Sequence, residues 1–567
     1  MFESLPVQTE ELGDWGWEAM QPYFKDLAER RVAADTVESF LQDWTRLAEM
    51  VDELYTRLMV ATTVNTADAE AERKYHAFLD HVYPHLEQAD QTLKQKLLET
   101  GLVPEGFAIP LKKMQTEAAI FREANIPLLV QERKLCNEYD KIIGAQTVEW
   151  DGEELTIARL RPLFQSTNRT MREHAWRLAA TRQLDDRDAI NAVWKQFLDI
   201  REQLAANAGF GDYRSFRWKQ MLRFDYTPED CRSFHNAIEE VVVPAAARVY
   251  EQRRKHLGLE TLRPWDLDVD PLGRGPLVPF HDTTELQEKC SGIFHRVDPQ
   301  FGAYFDTMVR EGLLDLGNRK NKAPGGYCTE FAARKLPFIF MNAVGIHDDV
   351  QTLFHESGHS FHVFERSHLP YYQQRDVSLE FSEVASMAME LLASPYLASE
   401  QGGFYGATDA ARARIEHLER CIVFWPYMAL VDAFQHWVYE HPREAQNPAA
   451  CDEAWRTIWG RFMPWIDWSG LEQELMTGWH RKLHIHTVPF YYVEYGLAQL
   501  GAVQVYGNST VNRSEALNAY TKALALGGTV SLPELYRTAG ARLAFDRHTL
   551  ASAVSFVELA IADLKDS

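Results

Sequence analysis

The chain has 567 residues, enough to bury a large core and to form two lobes. Lys plus Arg number 59 against 82 Asp plus Glu, and the resulting formal charge of −23 argues against a nucleic-acid partner. Aromatic residues make up 12%, including 15 Trp, which excludes a disordered acidic protein.

From the N-terminus, MFESLPVQTEELGDW lacks the basic and apolar regions of a secretory signal. Amphipathic runs over 36–59 and 71–98 predict helices, broken near Asn65 and Pro84. Residues 159–208 read as mostly helical and end in a turn at 207–212. Thr227 is placed to cap a further helix over 228–257. The stretch 263–279, dense in Pro, Gly and Asp, is the clearest interruption and reads as a hinge or a loop over a cleft. Helix resumes at Asp282, a β-prone segment covers 325–342, and the remainder is again mostly helical. No fixed-period repeat and no apolar run of about 18 residues is present, so no membrane span is expected. The six cysteines include no CxxC pair and predict reduced thiols in a cytoplasmic protein.

Within the β-prone segment, the apolar run 338–341 follows Pro337 and predicts an edge strand of a small sheet. Such an edge can hold an extended peptide through main-chain hydrogen bonds; an ordinary core strand fits the same residues equally well. Next comes His355-Glu356-Ser357-Gly358-His359. On a helix over 351–364, His355 and His359 share a face, so two imidazoles can hold one Zn²⁺ with Glu356 beside it as general base. Gly358 inside that helix predicts a close approach of another backbone or side chain.

A third ligand is expected from the helix-prone segment 379–392. Glu380, Glu383, Met387 and Glu390 share one face there, and the other faces are apolar. Carboxylates on so buried a helix need cationic partners, which a divalent metal and its histidines would provide. Glu383 is the expected ligand, with Glu380 and Glu390 as acceptors for the ring N–H groups of the ligating histidines. His362 stands where an astacin-like arrangement would need glycine, which excludes that variant; it is placed in the surrounding shell.

HESGH followed by FSEVASMAMELL resembles the thimet oligopeptidase and oligoendopeptidase F family of zinc metallopeptidases, closer to the bacterial oligoendopeptidase F branch. PGGYC (324–328), LPFIFMN (336–342) and HIHTVPFYYVEYGLAQLGA (484–502) match further family segments in the same order. The resemblance implies a mostly α fold: two helical lobes enclosing a deep substrate channel, with a small β-sheet beside the HExxH helix. It divides the chain into an N-terminal helical region, 1–175, and a catalytic region, 176–567. One Zn²⁺ per chain would be held by His355, His359 and Glu383, and oligopeptides would be cleaved internally. Tyr327, Phe338 and Ile339 would lie along the substrate.

Downstream, Tyr491, Tyr492, Tyr495, His484 and His486 offer donors for an oxyanion, with aromatic core packing as the plainer alternative. By resemblance, His484 and Tyr495 act on the reacting carbonyl, and Tyr492, with Tyr491 and His486 nearby, contacts substrate. Two other readings remain at this stage: release of terminal residues or dipeptides, and a zinc- or peptide-binding scaffold without turnover. Intact Glu356 speaks against the scaffold, since holding a metal needs no general base.

Overall fold

The computed structural model describes residues 2, 5–6 and 15–566, so most of the segment read for an export signal lies outside them. The described chain is mostly helical. The helices that build or support the site are Val37–Val64 (α1), Ile126–Gly144 (α2), Arg187–Asn207 (α3), Tyr213–Gln220 (α4), His347–Arg366 (α5), Leu379–Ala393 (α6), Ala407–Glu440 (α7) and Tyr492–Val511 (α8). Among the described residues, no helix is long and apolar enough to cross a membrane.

Two cores organise the molecule. The first belongs to the N-terminal helices, where Phe40, Leu41, Trp44 and Leu47 of α1 pack with Phe78, Leu79 and Leu93. The second and larger core surrounds α5 through α8. The N-terminal run 71–98 forms two helices, Ala69–His81 and Tyr83–Glu99, separated just before Pro84, which is free to occupy a first helical turn. Thr227 caps Pro228–Ala237 through a reciprocal box with Asp230. The expected continuous helix to 257 is interrupted by a wider turn at Ile238–Val242 before Val243–His256. Pro244 falls just after that turn, where its missing N–H and bulk no longer allow the regular ladder.

A hairpin joins Thr147–Trp150 (β1) to Glu153–Thr156 (β2). The second sheet has Leu314–Gly317 (β3), Tyr327–Phe331 (β4) and Leu336–Ala343 (β5) in the order β3-β5-β4. β5 is therefore central, which corrects the edge-strand expectation for 338–341. Pro337 is compatible with this place because pairing to β3 begins only at Ile339. The proline stands opposite Glu330 of β4, and no β3 partner awaits its missing N–H. The edge strands are β3 and β4.

Asp349 fixes the entrance to α5. Its Oδ2 accepts from the backbone N–H groups of Val344, Gly345 and Ile346 at 2.8, 2.8 and 3.0 Å. α5 then crosses α6 at Gly358, where a Cβ would lie 2.5 Å from Ser386 Cα and 2.6 Å from the Ala385 carbonyl oxygen. Only glycine allows the two backbones this close. α8 packs on the other side of α6, with Gly501 against Val384.

Candidate metal centre and peptide cleft

His355 and His359 project from one face of α5 towards Glu383 on α6. Glu383 Oε2 lies 3.2 Å from His355 Nε2 and 3.5 Å from His359 Nε2. One ligand atom from each residue falls within a 4.8 Å cluster. Burial opposes protonation of His355, yet Glu383 and Glu390 outweigh it and raise its imidazole well above the ordinary range. The two carboxylates thus favour positive charge at this imidazole. Two neutral imidazoles and a carboxylate are a donor set that suits Zn²⁺.

The surroundings orient these donors. Glu390 Oε1 lies 2.7 Å from His355 Nδ1, leaving Nε2 directed at Glu383. Glu380 does not reach either histidine; it accepts from Tyr226 Oη at 2.6 Å and stands 3.7 Å from Arg223 Nε. His362 is buried edge-on against Phe381 and borders the cleft. Tyr491 Oη donates to the other oxygen of Glu383, Oε1, at 2.5 Å.

Glu356 sits beside the cluster, and its Oε2 is a buried acceptor without a hydrogen-bond partner among the described residues. Burial pushes its carboxyl up. It borders a cavity of about 340 Å³ with His355, His359, Glu383, Tyr491 and Tyr495. The opposite wall is Gly326 to Glu330, the free edge of β4.

The downstream segment divides into two groups. Tyr491 and Tyr495 face the cavity with ring centroids 5.3 Å apart, and His484 Nε2 lies 3.1 Å from Tyr495 Oη. Burial pushes His484 down to about 3, so its ring is neutral. Tyr492 turns the other way, and its Oη accepts from Lys482 Nζ at 3.2 Å. His486 is fully buried between Tyr139 and Trp479, with ring centroids at 4.6 and 5.7 Å. Tyr327 borders the cavity, stacks on Phe340 and shares a 2.6 Å hydrogen bond with Thr63 of α1. Phe338 and Ile339 point into the core.

Sequence reasoning missed the frame that sets Tyr491 and Tyr495. Phe490 adopts φ +65°, unusual for a residue with a side chain. Its N–H donates to Gln435 Oε1 at 2.6 Å, and its carbonyl accepts from Arg223 Nη2 at 2.5 Å. The same guanidinium holds Glu494 on α8 at 2.6 Å. Arg201 of α3 and Arg217 of α4 bond the carbonyls of His486 and Pro489. The signal available was Glu494, a carboxylate inside the otherwise apolar start of α8, which needs a buried partner.

A second group, Cys231, Asp432 and His436, also brings metal-type donors together. Its aspartate is already engaged by His235. Asp432 Oδ2 lies 2.8 Å from His235 Nε2 and 3.3 Å from His436 Nε2, while Arg214 faces the other nitrogen of His436. Burial raises the Cys231 thiol well above its usual range, away from the thiolate a metal needs.

Comparison with known proteins bears on the family and the fold. The peptidase family M3 profile matches residues 163–554, and the peptidase M3 N-terminal domain profile matches 13–105. A solved PZ peptidase A with an inhibitor is 27% identical, covers 99% of both chains and superposes with a TM-score of 0.91. A second solved chain carrying the oligoendopeptidase F name is 26% identical over 100% of both chains, with a TM-score of 0.92. Group B oligopeptidase PepB of Streptococcus agalactiae is 26% identical over 259 residues, 44% of this chain and 40% of that protein. The matched stretches span half or less of the curated relatives.

Proposed function

Since the chain belongs to peptidase family M3, we propose that it is a zinc-dependent oligopeptidase that hydrolyses internal bonds of short, unstructured peptides. The observation that carries this reading is the convergence of His355, His359 and Glu383 beside the unpartnered Glu356, in a cavity walled by a free strand edge. His355, His359 and Glu383 would hold the ion, which when bound supplies Lewis-acid chemistry to water and carbonyl oxygen.

Each remaining role falls to a side chain. Glu356 Oε2 accepts the proton of the attacking water and returns it to the leaving amine. Its raised proton affinity suits a group that must both take and give a proton. Tyr495 Oη donates to the oxyanion, and neutral His484 holds that hydroxyl from Nε2. Tyr491 fixes Glu383. The backbone of β4 takes the peptide as an added strand, a mode that reads main chain and so accepts varied sequences. A cavity of about 600 Å³ between the N-terminal helices and Glu330 adjoins the site. That setting suits flexible peptides and excludes folded proteins.

Mass spectrometry on a mixed peptide digest, with and without chelator and with a folded protein as control, tests this. Internal cleavage of peptides, abolished by chelator, is the expected result. Full activity in chelator would overturn the reading, and release of terminal residues alone would favour an exopeptidase.

A further inference from the structure

Three cavities adjoin one another in a row that follows β4 and passes its start at Gly326. The cavity at the metal centre shares Thr329, Glu330, Arg366 and Asp376 with the 600 Å³ cavity at one end. At the other end it shares Gly326 with a cavity of about 350 Å³. A peptide that pairs with the free edge of β4 in the antiparallel sense, the more stable sense per residue, runs from the Glu330 end towards Gly326. Its C-terminus then enters the 350 Å³ cavity.

That cavity is cationic. Arg161, Arg319, Lys322 and Arg481 line it against one carboxylate, Asp349, whose Oδ2 already accepts three backbone N–H groups. Arg161 pairs with Asp348, and Arg319 and Lys322 share Asp315. Arg481 pairs with no carboxylate among the described residues, and its one hydrogen bond there, to the Glu474 carbonyl, is long at 3.4 Å. The side chain is half-buried; burial lowers its proton affinity, and the Glu474 carboxylate acts on it only from beyond ion-pair distance. A half-buried guanidinium that lines a cavity with no carboxylate in ion-pair contact can take one from a ligand. Arg133, an unpaired cation in the 600 Å³ cavity, differs: Tyr55 and Tyr83 supply both their hydroxyls and their ring faces to it.

We propose that Arg481 binds the C-terminal carboxylate of the peptide, so that the cut is registered from the substrate's C-terminus. Guanidinium and carboxylate match as two parallel N–H···O bonds. The inference rests on the oligopeptidase reading and deepens it.

The test compares one peptide as free acid, as amide, and as amide with Glu in the last position. Binding is measured by calorimetry on the Glu356→Gln protein, so that it does not depend on turnover. Amidation should weaken binding roughly 10- to 100-fold, the worth of a charge-assisted contact. Adding Arg481→Met should bring acid and amide within about twofold while leaving amide affinity unchanged, and Arg481→Lys should keep part of the preference. With wild-type enzyme, free-acid peptides lengthened at the N-terminus should be cut at a constant distance from the C-terminus.

Equal binding of acid and amide by protein with Arg481 intact would overturn the proposal, whether or not the Arg481 variants fold. So would an undiminished preference in Arg481→Met, absence of binding by all three peptides, or an amide ending in Glu that binds like the free acid. Peptide turnover by the wild-type enzyme decides the oligopeptidase reading separately.

Discussion

Gly358→Ala tests whether the helix crossing holds the proposed metal ligands. The added Cβ would sit 2.5 Å from Ser386 Cα, where carbon atoms ordinarily stay about 3.5–4.0 Å apart. α5 and α6 must therefore separate by about 1 Å. Alanine gains about 1 kcal/mol of helix propensity over glycine, but overpacking a buried site costs about 1–3 kcal/mol, and the parted helices also lose dispersion contact. A net destabilisation of about 1–2 kcal/mol is the expected balance. The larger effect falls on the ligands. Glu383 lies one turn from Ser386, so the same shift stretches its 3.2 and 3.5 Å approaches to His355 and His359. Zinc affinity should fall roughly 10- to 100-fold, as when ligands lose their orienting contacts. Urea denaturation of the metal-free protein reads the first quantity, and competition with a chromophoric chelator reads the second. If the variant matches wild type in both, the close crossing is not what places the ligands.

Glu356→Gln should keep zinc while turnover falls at least roughly 100-fold, whereas Glu383→Ala should lose the metal itself; metal analysis beside peptide assays separates the two. Tyr495→Phe should lower kcat roughly 100-fold or more with little change in KM, and Tyr492→Phe, whose hydroxyl faces Lys482, should stay near wild type; the reverse pattern would exchange their roles. Burial pushes the Asp140 carboxyl up to about 7. The folded state thus holds that proton more tightly than the unfolded chain, and stability falls as pH rises from about 4 to about 7. Asp140→Asn should remove this slope and gain roughly 1–3 kcal/mol near pH 8 but not near pH 4, as read by urea denaturation at both.

What the sequence made legible was local. His355, Glu356 and His359 sit within a single turn or so, and the spacing of Glu383 and Glu390 is set by one further helix. Helical periodicity alone therefore puts each set on a common face. Gly358 was legible for the same reason, since a glycine within a strong helix pattern implies a neighbour. Strand order was not legible: nothing in 338–341 records that β3 begins pairing only at Ile339, past the proline. Glu380 and Glu390 occupy the same helix face, yet Arg223, which sits more than 150 positions before Glu380 in the chain, claims the first and leaves the second for His355. The orientations of Tyr492 and His486 depend on Lys482, Tyr139 and Trp479, contacts that periodicity does not encode.

The bend at Phe490 also has a bearing on biosynthesis. Arg201, Arg217 and Arg223 precede the carbonyls they grip by 285, 272 and 267 residues. At about 5–20 residues per second, a ribosome would deliver the bend roughly 15–55 s after the arginines. Until then those guanidinium groups have only their earlier partners, such as Glu132 for Arg201 and Gln220 for Arg217. The left-handed turn costs about 1–3 kcal/mol, and its local support is one backbone bond, from Tyr491 N–H to the Val488 carbonyl at 3.2 Å, so it should become firm when the early and late segments dock. A nascent chain that had not yet reached Tyr491 would present the HESGH helix without the tyrosines that border its cavity.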